Sequence, residues 1–154
     1  MAQTTVTRHL DVPPDTAFDT ITDVDQLFAW NSGITRVLET PVTLAPGQEW
    51  VVEVTALGQR WPSRSRVTAL DRQARVFHYR AQTDDGNPSY ADWTWTVTSA
   101  PGGCDVAVTW QLSPQTFWRR ILLARIRQRQ LRRTEVPASL AALHVAAQHR
   151  ASHD

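Results

Sequence analysis

Lysine is absent from this sequence and cysteine occurs only once, so two common devices of small proteins are missing. The single Cys104 excludes an internal disulfide and a cysteine-based zinc cage, so the fold must rest on its hydrophobic core. No window approaches the ~20 apolar residues of a membrane span, and the opening MAQTTVTRHLDV lacks the apolar run of a signal peptide. We therefore expect a soluble, cytoplasmic protein.

Familiar catalytic signatures are missing as well. The sequence contains no G-x-S-x-G, no H-E-x-x-H and no glycine loop that would cradle a phosphate. His149 and His153 could share one face of a helix and hold a metal, but their position near the end of the sequence favours a solvated tail. We expect no metal and no cofactor.

The charges divide the sequence into two unequal parts. Its 154 residues fit one domain, residues 1–154, which buries roughly 70% of the surface of the unfolded chain. Residues 1–112 carry eight arginines against thirteen acidic residues, a balance of −5, and residues 113–154 carry eight arginines against two, a balance of +6. The basic character is therefore local to the last quarter of the sequence.

Alternating polar and apolar residues predict a protein dominated by β-strands. Connections such as LGQR, DRQA and APGG have turn composition and are short, which favours an antiparallel meander with one face toward a core. The predicted strands are residues 4–12, 34–39, 49–57, 61–70, 75–82, 90–98 and 104–112.

Helical patterns flank these strands on both sides. After Pro13-Pro14, apolar residues at helical spacing predict a helix to about residue 23, and Asp25 is placed to cap a second short helix over residues 26–30. Ser113-Pro114 predicts the start of a long C-terminal helix, and Pro137 predicts a kink near Glu135 with a second piece over residues 138–147.

Three local patterns carry a resemblance to a known family. The stretch DVPPDTAFDTITDVDQLFAWNSGI, the segment VTALD before an aromatic strand, and GG before VAVTW are similar to the polyketide cyclase/dehydrase-like branch of the START-like (SRPBCC) superfamily. The resemblance spans roughly residues 6–143. It implies an α+β helix-grip (Bet v 1-like) fold: a seven-stranded curved antiparallel sheet, two short helices after the first strand, and a long C-terminal helix. Relatives include cyclases, lipid carriers and quinone-binding proteins, so the implied function is broad.

Seven tryptophans suggest where a ligand would bind. Several share strand faces with valines and a tyrosine, so the space between sheet and helix is either simply filled by aromatic rings or lined by them around an apolar ligand. The C-terminal helix would add one apolar residue and one polar residue where its apolar character ends. The predicted ligand-binding residues are Trp50, Val52, Val54, Val67, Phe77, Tyr79, Trp93, Trp95, Trp110, Ile121 and Arg125.

Polar residues near this face allow two further interpretations. In the SRSR stretch, residues 63–66, either the serines or the arginines face inward, and outward arginines are favoured because a lone buried charge is costly. Asp84, Asp85 and Asp92 lie in or beside a loop at a sheet end. Asp92 as a general base is one interpretation, and a solvated acidic loop is the simpler one.

The arginine-rich segment, residues 127–133, leaves two accounts open. Residues 117–124 are apolar nearly all round, so we expect the sheet to hold this first half of the helix, which then leaves the sheet as it becomes polar. The arginines either pair with the acidic surplus of the domain or form a surface for phosphate groups. No aromatic residue lies within the segment, which disfavours RNA. The apolar face narrows after Ala124, which disfavours a helix lying on a membrane. A second apolar stripe runs from Val136 through Leu140 and Leu143 to Ala147, and it can pack on the opposite end of the sheet or on a partner chain.

These observations favour a small-molecule binding protein. We expect a hydrophobic, aromatic or polycyclic ligand between the sheet and residues 117–131, either bound alone or acted on as by a cyclase or dehydratase. The alternative is an interaction protein whose arginine-rich helix docks on RNA, on a ribosome, or on a membrane-bound quinone or lipid system. The oligomeric state is open.

Overall fold

The computed structural model describes residues 2–115 and 118–153, with side chains outside residues 116–121. Its elements follow the predicted order, and most predicted strand ends lie within two residues of the observed ones. They are β1 (Thr4–Leu10), α1 (Pro14–Thr22), a 3-10 helix (Val24–Ala29), β2 (Ile34–Glu39), β3 (Glu49–Ala56), β4 (Gln59–Asp71), β5 (Val76–Thr83), β6 (Tyr90–Ala100), β7 (Gly103–Ser113), α2 (Trp118–Gln130), a π-helical segment (Leu131–Glu135) and α3 (Val136–His153).

The seven strands form one curved antiparallel sheet in the order β1-β7-β6-β5-β4-β3-β2. Consecutive strands from β2 to β7 are neighbours, as short turns require, and β1 closes the order by pairing with β7. The edge strand β2 pairs irregularly, with register shifts between Ile34 and Arg36 and between Val37 and Glu39. The architecture is the α+β helix-grip fold that the sequence predicted.

The core lies between one face of the sheet, here called the inner face, and the helices α1 and α3. Alternation along β7 places Val106, Val108 and Trp110 on the inner face, all fully buried. Phe18 and Ile21 of α1 pack against the same core, and Pro14 occupies the first turn, where its missing N–H removes no helical bond. The 3-10 helix has Asp23 rather than Asp25 at its N-terminal boundary, so the predicted cap is wrong.

The C-terminal helix passes Pro137 through a π-helical segment. Proline has no N–H for the carbonyl four residues back, and its ring crowds that carbonyl. The wider π turn immediately before it carries the backbone past this point, with the Val136 N–H donating to the Leu131 carbonyl five residues back. The helix irregularity that the sequence predicts near Glu135 is therefore confirmed. The helical segment after it, α3, ends at His153 and not at the predicted residue 147.

Ser113-Pro114 does not begin the helix. Ser113 pairs with Tyr90 as the last residue of β7, so strand pairing takes precedence over the capping pattern, and α2 begins at Trp118. Within the described residues, no helix is long and apolar enough to cross a membrane.

The loop before β2 forms hydrogen bonds to the π-helical segment and to α3. The Ser32 N–H donates to Ser139 Oγ at 2.9 Å, and the Ser32 hydroxyl donates to the Glu135 carbonyl at 2.9 Å. Gly33 leaves no room for a side chain, because a Cβ there would stand 2.6 Å from the Glu135 carboxyl group. Glu135 is buried, and its carboxylate accepts hydrogen bonds from Nη1 and Nη2 of Arg127 at 2.8 and 3.1 Å.

Candidate ligand-binding face

Large and small side chains alternate in rows across the inner face. Val67, Tyr79, Trp93 and Trp110 are successive cross-strand partners from β4 to β7 and form an aromatic row. The adjacent row consists of Ser65, Ala81 and Ala91, here called the small-residue row. It lies between Trp50 of β3 and Leu112 of β7.

Aromatic rings border the small-residue row along one side and at its β3 end. Trp50 meets the Tyr79 ring edge-on with centroids 4.7 Å apart, and it stacks on Phe77 at 5.7 Å. Trp93 stacks on Trp110 with centroids 5.6 Å apart and planes at 24°. Offset stacking and edge contacts of this kind fix ring orientation as well as burying area. These contacts fix the orientation of the rings that lie next to the small-residue row.

Tyr79 supplies a polar group at the centre of the face. Trp95 Nε1 donates to the Tyr79 hydroxyl at 3.1 Å, so the phenol oxygen already accepts one hydrogen bond. Among the described residues, no group accepts the Tyr79 hydroxyl proton. Burial raises the pKa of Tyr79 to about 12, against a smaller lowering by the Trp95 N–H. The phenol is therefore neutral at physiological pH and retains a proton to donate.

Helix α2 approaches the inner face through polar side chains. Gln128 accepts from Trp110 Nε1 at 2.8 Å and donates to Thr4 Oγ1 at 2.6 Å, which ties the helix to β7 and β1. The Arg127 guanidinium lies 5.7 Å from the centre of the Trp61 ring on β4. The long apolar residues Leu122, Leu123 and Ile126 remain about half exposed. The prediction that the sheet holds the first half of the helix depends on Phe117 and Ile121, whose side chains lie outside the described residues.

It is α3 that packs tightly on the domain. The predicted second stripe, Val136, Leu140, Leu143 and Ala147, is fully buried within this chain, where α3 meets α1 and β1. The π-helical segment turns the apolar face between the two halves. The second stripe therefore packs within the chain, and the domain holds the end of the C-terminal helix.

The predicted ligand-binding residues fall into three groups. Most lie on the inner face: Trp50, Val52, Val67, Phe77, Trp95 and Trp110 are buried, and Val54, Tyr79 and Trp93 are half-buried. The side chain of Ile121 lies outside the described residues, as does Phe117. Arg125 is exposed on α2, about 120° around the helix from the buried Leu131. Gln128 contributes the polar contact assigned to Arg125.

Neither of the two described recesses lies between the sheet and α2. One of about 280 Å³ is lined by Arg125, Gln128, Arg129, Arg132 and Arg133. The other, of about 510 Å³, lies over the outer faces of β4 and β5 and contains Arg64, Arg66 and Arg80. The outward arginines of the SRSR stretch are confirmed, since Ser63 and Ser65 are buried on the inner face.

The acidic residues near the loop also belong to the outer surface. Arg80 donates to both oxygens of Asp92 at 2.8 and 3.1 Å, and Arg64 donates to both oxygens of Asp84 at 3.0 and 3.2 Å. This contact with Arg64 holds the pKa of the Asp84 carboxyl below its usual value. Asp92 faces away from the inner face, so its interpretation as a general base for a ligand there is wrong. Asp85 lies in the same exposed loop.

Solved structures share this architecture at low sequence identity. The aromatase/cyclase Zhui from Streptomyces sp. R1128 superposes with a TM-score of 0.77 at 18% identity, covering 97% of this chain and 93% of that one. TTHA0849 from Thermus thermophilus gives 0.75 at 16% identity, with 96% and 98% covered. Ara h 8.0201 gives 0.70 at 12% identity, with 96% and 98% covered. At these identities the likeness shows the fold.

Sequence similarity at the level of the family is extensive. No curated protein matches the chain. The model of one family, described as polyketide cyclase / dehydrase and lipid transport, matches residues 1–136, which include the whole sheet and α2. The chain belongs to this polyketide cyclase / dehydrase and lipid transport family.

Proposed function

We propose that this protein binds a hydrophobic, aromatic or polycyclic small molecule on the inner face of the sheet, beneath α2. The observation that carries the proposal is the Tyr79 hydroxyl, which accepts from Trp95 and keeps its proton among apolar rings, next to the small-residue row. A polar donor fixed in apolar surroundings is typical of a site that orients one polar atom of a largely apolar ligand.

The position of the ligand follows from side-chain size. Ala81 and Ala91 are half-buried, and they adjoin Trp50, Tyr79 and Trp93, so a flat ligand over the alanines would contact aromatic rings at its sides. The ligand atom nearest Tyr79 would be an acceptor such as a carbonyl oxygen. Burying an apolar ring system there is favourable by roughly 25 cal/mol per Å² of surface removed from water.

Helix α2 would form the upper boundary of the site. Its polar links to the face are Gln128 and Arg127, and three of its long apolar side chains are half exposed. Exposed side chains such as these add little to the free energy that holds a helix in place. We propose that α2 moves with ligand entry while α3, with its buried stripe, stays fixed.

Binding is tested with substitutions that fill the proposed space. Ala91→Leu should abolish binding of a hydroxylated anthraquinone, followed by quenching of tryptophan fluorescence, because the longer side chain occupies the ligand position. Gln82→Leu is the matched control, since Gln82 neighbours Ala81 but faces outward and is exposed. Equal affinity of the Ala91→Leu variant and the unmodified protein, at unchanged stability, contradicts the proposed position.

A second experiment concerns the hydroxyl itself. Tyr79→Phe should weaken binding of the same probe by about two- to tenfold, the contribution of one hydrogen bond, without changing the shape of the face. Because this substitution also leaves the Trp95 N–H without its acceptor, the unfolding free energy is measured in parallel. Native mass spectrometry of freshly purified protein should show a retained small-molecule mass.

The neutral Tyr79 hydroxyl could also take part in a cyclase or dehydratase reaction on the bound ligand. A neutral phenol that donates to a ketone oxygen stabilises the negative charge that develops there when a neighbouring carbon attacks the carbonyl. Turnover of a linear β-polyketone thioester, followed by mass spectrometry, should decrease roughly a hundredfold in Tyr79→Phe. Binding without turnover would identify a carrier.

A further inference from the structure

We propose that the exposed side of α2 docks on the surface of a membrane that contains anionic phospholipids. This surface, here called the α2 face, consists of Leu122, Leu123, Arg125, Ile126, Arg129, Arg132 and Arg133. The inference concerns the outer side of the helix and does not depend on what binds to the inner face of the sheet.

The first half of the α2 face is apolar and exposed to solvent. Leu122, Leu123 and Ile126 are 50%, 55% and 46% exposed, although α3 of the same helix buries every residue of its apolar stripe. Adjacent exposed long aliphatic side chains are unfavourable in water, and a cluster of them marks a surface that is covered by something else. These residues would enter the boundary between headgroups and acyl chains.

The second half of the α2 face carries arginines without partners. Arg125, Arg129, Arg132 and Arg133 line the recess of about 280 Å³ with Gln128, and no carboxylate is among the lining residues. None of these four arginines forms an ion pair within the described residues. Other arginines do pair with carboxylates of the domain, as Arg64 does with Asp84 at 3.0 Å.

This arrangement contradicts the account in which the arginines of residues 127–133 pair with the acidic surface. Only Arg127 among the four arginines of that segment has a carboxylate partner in the described part of the chain, and that partner is Glu135 of the same helix. Four guanidinium groups around one recess suit phosphate groups, to which arginine donates two parallel hydrogen bonds.

Helical geometry places both chemistries on one side. At about 100° per residue, Leu122, Arg125, Ile126 and Arg129 lie within an arc of about 100°, while Leu131 points into the core. A bilayer surface offers an apolar layer directly beneath a layer of phosphates, so it matches aliphatic and arginine side chains together. RNA would match the arginines alone, and no exposed aromatic ring for base stacking is found among the described residues of the α2 face.

The charge of the whole molecule supports the same orientation. Residues 113–154 carry a balance of +6 and residues 1–112 a balance of −5, so an anionic surface attracts the α2 side and repels the body of the domain. Each arginine near an anionic leaflet contributes roughly a fivefold increase in partitioning.

The test is flotation of the full-length protein with vesicles of phosphatidylcholine alone or mixed with phosphatidylglycerol. The protein should float with the mixed vesicles and remain unbound with phosphatidylcholine. The double variant Arg129→Gln, Arg133→Gln should reduce partitioning roughly 30-fold, because two charges are lost. The matched control is Arg60→Gln, Arg66→Gln, which removes the same charge from exposed positions of β4 and should partition like the unmodified protein.

A second pair of variants examines the apolar half. Leu122→Gln with Ile126→Gln should reduce partitioning at least tenfold, while Val145→Gln, exposed on α3, should have no effect.

Three outcomes would overturn the proposal. The first is an equal loss of partitioning in both arginine double variants, since binding would then follow net charge alone. If soluble glycerol phosphate raises the thermal stability of the protein while vesicles do not bind, the surface is a small-anion site and the proposal is wrong. If the protein binds short RNA and not vesicles, the surface is a nucleic-acid interface and the proposal is likewise wrong.

Discussion

The two halves of the C-terminal helix, α2 and α3, differ in almost every property that decides stability. α3 buries Leu140 and Leu143 against α1, and it is fastened at both ends by the Glu135 contacts and by an ion pair between Arg150 and Asp23 at 2.7 Å. In α2, the described residues Leu122, Leu123 and Ile126 are about half exposed, and Gln128 and Arg127 contact the sheet. The comparison separates a half that is buried in the domain from a half whose described aliphatic side chains are exposed.

The largest expected effect comes from the buried half. Leu140→Ala should lower the free energy of unfolding by about 2–5 kcal/mol, because the removed atoms leave a cavity in a fully packed core. Ile126→Ala in α2 should change it by less than about 0.5 kcal/mol, since Ile126 is half exposed. Urea unfolding of both variants measures the difference, and equal losses would contradict the division.

The junction between the halves gives the next effect. Glu135→Ala leaves the Arg127 guanidinium without its partner at a nearly buried position, and it should lower the free energy of unfolding by about 2–3 kcal/mol. Some access of Arg127 to water keeps this below the loss for a fully buried pair. The control is Glu53→Ala, which breaks a surface pair with Arg36 and should cost less than about 1 kcal/mol. A Glu135→Ala loss no larger than that of the control would show that the junction contributes little.

A substitution at Gly33, in the loop before β2, examines the same contact with Glu135. Gly33→Ala places a methyl group 2.6 Å from the Glu135 carboxyl group, so Glu135 must move and weaken its pair with Arg127, at a cost of about 1–2 kcal/mol. In the Glu135→Ala background the clash is gone, and the same substitution should be nearly neutral. A double-mutant cycle measures this coupling, and strictly additive losses would contradict the described contact.

The smallest effect depends on pH and concerns the far end of α3. The hydrogen bond between Asp11 and His144, with another from Gln148 at 2.8 Å, holds the pKa of the Asp11 carboxyl below its usual value of 3.8. A lowered folded-state pKa adds stability above pH 3.8, and this contribution disappears as the pH falls through the folded value. Asp11→Asn should therefore be less stable than the unmodified protein at pH 7, and the difference should become smaller as the pH falls below 3.8. An unchanged difference across this range would assign the effect to something other than the carboxylate charge.

The sheet could be predicted from the sequence because its strands have one buried face. A period of two fixes both the existence of a strand and its register, since a slip by one residue would expose Trp95 and bury Thr94. The outward arginines of β4 followed from the cost of burying a charge alone. The strand ends were accurate for the same reason, apart from Ser113, where pairing with Tyr90 prevails over a local helix signal.

The direction of the helix could not be predicted in the same way. Residues 117–124 are apolar nearly all round, and composition alone does not say whether such a segment is enclosed or exposed to a partner outside the chain. The sequence does hold one signal of the junction: Glu135 is one of two side-chain carboxylates among eight arginines after residue 112, and it lies two residues before Pro137. Gln128, within an apolar stripe, was a similar indication of a polar contact at the face.

The irregular edge strand β2 has a consequence for the protein in concentrated solution. Its two register shifts interrupt the regular spacing of free N–H and C=O groups, and Arg36 and Glu39 place opposite charges along the same border. A strand from a second molecule could therefore not form a regular series of backbone hydrogen bonds with β2, and it would meet charged side chains there. Growth of the sheet into filaments by addition of strands is thereby opposed at β2.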